Sequence, residues 1–195
     1  MIVFLVEDYS MRKFLEGVLP RLGFEEHLFE IKHHRGKEDL ISHLNNIIPT
    51  LSKRAQQIII IIDQDRQDCL ALKNKIKAKM ARCCSCEYQI RIACYELEAW
   101  FLGDMEAIAK CSPRFKASFF QGKKKYRDID NIPKPSSVLE EIVPDWKKRY
   151  ASKPKFAEEI AHFVSLEKQN VEKANRSHSF QVFLETLCSF GNDKK

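Results

Sequence analysis

The 195-residue chain is predicted to be an α/β protein, with a parallel sheet flanked by helices over residues 1–103 and a C-terminal helical, basic cap over residues 104–195. Three observations predict it. Ile58 to Ile62 are five consecutive β-branched apolar residues, the composition of a strand buried on both faces of a parallel sheet. Strand-like and helix-like patterns alternate as βαβαβαβ as far as Cys94, and that alternation implies parallel strands joined by right-handed crossovers. Beyond Glu96 the period-two signal disappears, and short helical patterns punctuated by proline take over.

Each element has its own signal. Ile2 to Val6 is an apolar run that stops at Glu7 and Asp8, as expected of a buried first strand. Ser10 is a candidate cap for the next helix, in which Met11, Phe14, Leu15, Val18, Leu19 and Leu22 recur at helical spacing and Gly23 ends the element. His27 to His33 is a weaker alternating strand. Leu40, Ile41, Leu44, Ile47 and Ile48 form the inward stripe of a second helix that ends near Pro49. After the isoleucine strand, Cys69, Leu72, Ile76 and Met80 mark a third helix with its lysines turned to water. Tyr88, Ile90, Ile92 and Cys94 alternate with Gln89, Arg91 and Ala93, the pattern of a half-exposed edge strand. Later helical patterns cover Leu97 to Ile108, Val138 to Val143, Phe156 to Leu166 and Phe180 to Phe190.

Composition narrows the function classes. With 44% hydrophobic and 31% charged residues the chain has material for a packed core, which sets it apart from disordered and fibrous classes. Its longest apolar runs fall far short of the ~18–20 residues a membrane helix needs, and no basic region precedes the first of them, so a cytoplasmic protein without a membrane role is expected. Seven cysteines, an odd number, read as reduced thiols. Cys83, Cys84 and Cys86 hold one CxxC pair without the second that structural zinc normally requires. The +6 net charge is concentrated in residues 104–195, with 18 basic against 13 acidic groups, while residues 1–103 are nearly balanced at 15 and 14. A polyanionic partner suits that asymmetry. The phosphate-cradling motifs GxxxxGK[ST] and GxGxxG are missing, so any ATP chemistry would come from another subunit.

In open parallel sheets the functional crevice lies beyond the carboxyl ends of the strands. There the chain delivers Glu7 and Asp8 after the first strand, Asp63 and Asp65 after the third, and Glu96 and Glu98 after the fourth. Like charges brought together cost energy unless a cation neutralises them, and an all-oxygen set suits Mg2+ or Mn2+. Asp65 or Asp68 could instead cap the third helix, and Glu7 and Asp8 could be solvated. Lys110 to Arg127 contributes seven basic residues and no acidic one, interleaved with Phe115, Phe119, Phe120 and Tyr126. Lys123, Lys124, Lys125 and Arg127 form its densest part, with Lys147 to Arg149 a second cluster and Arg176 and His178 a supplementary pair. Lysines neutralise phosphates and aromatic faces stack on unpaired bases, so this is a candidate nucleic-acid surface; the alternative is a solvated face whose phenylalanines pack the cap.

A glutamate closing an apolar strand at Leu5-Val6-Glu7, followed by Asp63-Gln64-Asp65 closing a later one, resembles the TOPRIM fold of topoisomerases, DnaG-type primases and overcoming-lysogenization-defect nucleases. More narrowly, Val3 to Glu7, Ile62 to Asp65 with Asp68-Cys69, Glu96 to Asp104 and Asn175 to Phe180 are similar to the TOPRIM-like family called domain of unknown function 4276. The resemblance implies a metal-dependent, nuclease-like centre acting on phosphodiesters. In it Glu7 would be the general acid/base, Asp63 and Asp65 would hold the metal, Asp68 would support a second ion, and Glu96 or Glu98 would complete the shell. It also implies a partner ATPase and a setting in anti-phage defence. Asp8 stands where the family usually has glycine, and no glycine follows the aspartates; an inactive TOPRIM-like binding subunit is the alternative these positions favour. A receiver-like signalling module is a further alternative, although it needs a lysine on a fifth strand.

Overall fold

The computed structural model describes residues 1–144, 146–150, 152–167 and 174–191. Its sheet has four parallel strands, β1 (Ile2–Val6), β2 (Phe29–His33), β3 (Gln57–Asp63) and β4 (Glu87–Ala93), in the order β2-β1-β3-β4. β3 lies between β1 and β4, with Ile60 opposite Leu5 on one side and Ile90 on the other. Ile58 to Ile62 are each no more than 1% exposed, as the uninterrupted β-branched run predicts. The architecture is the α/β parallel sheet flanked by helices that the alternation of patterns implies.

Side chains alternate across the pleat and give the sheet two different cores. Val3, Leu5, Ile58, Ile60 and Ile62 pack with Leu40, Leu44 and Ile48 of α2 (Lys37–Leu51) and with Leu72, Ile76 and Met80 of α3 (Cys69–Cys83). Phe4, Val6, Ile59 and Ile61 face α1 (Tyr9–Arg21) and the C-terminal helices. Those helices are α4 (Glu98–Leu102), α5 (Met105–Cys111), α6 (Ala117–Gln121), α7 (Pro135–Ile142), α8 (Trp146–Arg149), α9 (Lys153–Ala161) and α10 (His178–Gly191). Their apolar residues continue the sheet's second core: Phe14, Trp100, Phe101, Phe156, Phe180 and Phe183 are fully buried together, and Trp100 stacks on Phe183 with ring centroids 5.0 Å apart. A Cβ on Gly17 would lie 2.6 Å from Ala161 Cβ, so α1 and α9 approach as closely as their backbones allow. The Arg21 guanidinium locks the same contact by donating to the carbonyls of Ala161 and Val164.

Local details depart from the sequence expectations for identifiable reasons. Asp8, not Ser10, caps α1: it is extended and its Oδ1 accepts from Met11 N at 2.9 Å, whereas Ser10 is buried inside the helix. Residues Glu26–Leu28 form a 3-10 turn, so the second strand starts only at Phe29. α2 runs past Pro49 to Leu51, because Ser52 N still reaches Ile48 O at 2.9 Å and closes the last turn. The single helix expected over Leu97 to Ile108 is two, α4 and α5. Asp104 restarts the chain there, its Oδ1 accepting from Ala107 N at 2.9 Å and its Oδ2 from Ser165 N at 2.7 Å. Among the described residues no helix is long and apolar enough to cross a membrane.

Candidate metal-binding crevice

At the carboxyl edge of the sheet the loops are tied to one another by backbone bonds. Glu7 N donates to Ile61 O at 3.2 Å, Gly36 N to Glu7 O at 3.0 Å, Gln64 N to Ala93 O at 2.8 Å and Asp65 N to Tyr95 O at 2.6 Å. Gly36 takes φ 104°, open to glycine alone at low cost, and so turns β2 directly into α2. Asp65 and Tyr95 occupy the left-handed region at φ 54° and 57° without being glycine. That strain is held by the Asp65 N–H bond to Tyr95 O and by Gln64 Oε1, which accepts from Tyr95 N at 3.1 Å.

The acidic residues of this edge are individually engaged. Glu7 Oε2 accepts from Asp63 N at 2.9 Å, Asp65 Oδ2 from Lys37 Nζ at 2.5 Å, and Glu96 Oε2 from Ser136 N at 2.8 Å. Glu98 is 5% exposed, and its Oε1 pairs with Lys153 Nζ of α9 at 3.2 Å. Asp68, expected to support a second ion, is an exposed N-cap whose Oδ1 accepts from Ala71 N at 2.7 Å. Asp63 differs: its Oδ1 is sealed from solvent and has no hydrogen-bond partner.

Burial, and then the negative charges of Glu7, Glu98, Asp8 and Asp65, push the Asp63 carboxyl well above the ordinary aspartate range. Glu7 is raised as well, chiefly by burial, although the Asp63 N–H and the Lys37 ammonium work against it. Burial raises Glu98 despite Lys153. At Lys153 burial opposes the charge, but the carboxylates of Glu98, Glu96 and Asp63 together outweigh it and hold the ammonium above the usual lysine value. Asp63 thus feels the charge of four other carboxylates, while the two lysines of this edge pair with its neighbours, Lys37 with Asp65 and Lys153 with Glu98.

Among the described residues no three His, Cys, Asp or Glu side chains are gathered into a group able to hold a metal ion. Glu7, Asp65 and Glu98 each commit one oxygen to a backbone N–H or a lysine. In chemistry the donors nonetheless fit a hard divalent cation, because they are all carboxylate oxygens and one buried oxygen, Asp63 Oδ1, has no hydrogen-bond partner. Cys84 and Cys86 place their sulfurs 3.7 Å apart, and all seven cysteines are free thiols.

On the cap, Lys123, Lys124, Lys125, Arg127 and Arg176 are exposed. Lys123 Nζ lies 3.7 Å from the Phe119 ring centroid and 4.9 Å from that of Phe120. Phe115 and Tyr126 are buried, and Phe120 stacks on Phe115; of the four interleaved aromatics, Phe119 alone is largely exposed, at 63%. Arg176 ties the ends of two helices together: its N–H donates to Gly103 O, just after α4, and its Nη1 to Gln121 O at the end of α6.

Two residues of the crevice are not among the sequence candidates, Lys37 and Lys153. Lys37 carries a signal, since it follows β2 at the same carboxyl edge as the acids; a search of the strand ends for acidic residues passes over it. Lys153 carries none, because only the packing of α9 on α1 brings it to Glu98.

Comparisons with known proteins bear on the fold and the family. No curated protein matches the chain. Among solved structures, the C-terminal region of the Burkholderia pseudomallei OLD protein superposes with a TM-score of 0.54 at 13% identity, covering 98% of this chain and 97% of that one. At that identity the likeness speaks for the fold, a TOPRIM-like parallel sheet flanked by helices. The family described as Domain of unknown function (DUF4276) matches residues 6–188, nearly the whole chain, and the protein belongs to it.

Proposed function

We propose that the protein is a metal-dependent, nuclease-like enzyme that cleaves nucleic-acid phosphodiesters with Mg2+ or Mn2+ held at the carboxyl edge of the sheet. The observation that carries the reading is Asp63 Oδ1, a buried carboxylate oxygen without a hydrogen-bond partner, on a group that feels the charge of four other carboxylates. Such a group costs the folded protein stability and is most simply explained by a cation it awaits. Asp63 and Asp65, with the free oxygen of Glu7, would hold the ion. When bound, it would supply Lewis acidity toward a phosphate and a water of lowered pKa. Glu7 is placed to hold a proton, because burial raises its carboxyl. Lys153 brings a cation to the rim through α9. Lys123, Lys124, Lys125, Arg127 and Arg176 would neutralise the backbone of the substrate. A separate ATPase partner and a role in phage defence belong to the same reading, supported by the family resemblance.

The test is cleavage of single- and double-stranded DNA and RNA with Mn2+, by the protein alone and with the cognate ATPase. Cleavage abolished by Asp63→Asn, with circular dichroism unchanged, supports the assignment. Intact substrates under every condition would turn the reading toward the regulatory binding subunit, in which the engaged carboxylates are structural.

A further inference from the structure

Lys37 has no role in the chemistry just described, yet its placement is unusual for a lysine. It is the first residue of α2, directly after the Gly36 turn that binds Glu7 O. Its side chain is 6% exposed, and its ammonium meets Asp65 Oδ2, whose own side chain is 55% exposed. Glu7 also feels its charge. Taking an ammonium out of water is costly unless carboxylates compensate it, and here the compensation comes from the residues expected to ligate metal. Asp65 is held to this arrangement from the backbone side as well, through its left-handed φ and its N–H bond to Tyr95 O.

We propose that Lys37 is a tethered cation that occupies Asp65 in the metal-free protein and must be displaced before Asp65 can ligate a divalent ion. This rests on the reading of Asp65 as a metal ligand. Two cations then compete for one carboxylate, so the ammonium and the metal are coupled with opposite sign, and each weakens the hold of the other. The crevice is thereby stabilised while empty, and its metal affinity is set from within the fold. A lysine serving only to contact a substrate phosphate would show no such competition.

Calorimetric titration with Mn2+ alone and thermal melts in EDTA test the idea on the full chain, for wild type, Lys37→Met, Lys37→Arg, Asp65→Asn and the Lys37→Met/Asp65→Asn double variant. Lys77→Met, an equal charge loss on the exposed face of α3, controls for the general field. Lys37→Met should lower the melting temperature in EDTA and bind Mn2+ roughly tenfold more tightly, within the usual range for coupled sites. Lys37→Arg and Lys77→Met should titrate like wild type. In the Asp65→Asn background the Lys37 substitution should have no further effect on affinity, the non-additivity expected of a direct pair. Lys37→Gln serves if the methionine variant does not fold. Equal Mn2+ affinity in wild type and Lys37→Met would overturn the competition and leave the metal reading standing. Asp65→Asn binding Mn2+ as tightly as wild type would overturn it in the same way. If neither wild type nor Lys37→Met binds Mn2+, the metal reading fails and the inference falls with it.

Discussion

Replacing Asp63 by asparagine should stabilise the metal-free protein while removing its response to metal. The change keeps the shape of the side chain at the end of β3, removes a charge that Glu7, Glu98, Asp8 and Asp65 all repel, and supplies an amide donor toward carboxylates. A buried polar atom left without a partner, as Asp63 Oδ1 is, costs roughly 1–3 kcal/mol. For a chain of this size 1 kcal/mol moves the melting temperature by about 2–4 °C, so the variant should melt roughly 2–12 °C higher in EDTA at pH 8. The gain depends on pH in a fixed direction. The folded carboxyl binds its proton more tightly than the unfolded one, so wild-type stability is fullest below the ordinary aspartate value of 3.8 and is lost as pH rises through the raised folded value. The difference between the two proteins should therefore vanish in acid and grow as pH rises above the ordinary aspartate range. Melts of both proteins in EDTA across pH, repeated with Mn2+, make the measurement. Saturating Mn2+ should raise the wild-type transition and leave the variant unmoved. A variant that melts at or below wild type at pH 8, or a gain that does not change with pH, would refute the claim that Asp63 is an uncompensated charge.

Other outcomes follow from the same geometry. Gly103→Ala puts a Cβ 2.0 Å from Asn175 Oδ1 and 2.8 Å from Ser177 N, so it should separate the Asn175–Ser177 segment from α4 and cost roughly 1–3 kcal/mol in chemical denaturation, the usual penalty of overpacking. Lys153→Met leaves Glu98 buried without its cation; because the lysine is half exposed the loss should stay below the ~3–5 kcal/mol of a fully buried pair, and adding Glu98→Gln should restore most of it in the same assay. Lys123→Gln, Lys124→Gln and Lys125→Gln together should weaken binding of single-stranded DNA and flatten the salt dependence by about 0.7 for each phosphate no longer neutralised, seen in fluorescence anisotropy at several salt concentrations. An unchanged slope would remove that surface from the proposed site.

The order of the strands' signals, the buried centre of the sheet and the family are legible in the residues themselves, because each is a local property. Five β-branched isoleucines can sit comfortably only in a strand covered on both faces, and an apolar strand that stops at a carboxylate marks the sheet edge where loops meet. Whether a given carboxylate there is a ligand, a cap or half of an ion pair is not local. Asp8 and Asp68 resemble Glu7 and Asp63 in sequence, yet their oxygens serve Met11 N and Ala71 N at helix starts. Phe115 and Tyr126 lie within a basic run, and packing alone turns them inward and leaves Phe119 outside. The break between α4 and α5 is fixed by Asp104, which caps α5 and also accepts from Ser165 N, sixty-one residues away. Lys37 and Lys153 reach the acidic edge only once α2 has turned at Gly36 and α9 has packed on α1, since two charges remote in sequence attract appreciably only when the fold brings them within a few ångströms and shields them from water. Sequence alone determined the scaffold and the acids it could carry; the tertiary structure decided which of those acids remained uncompensated.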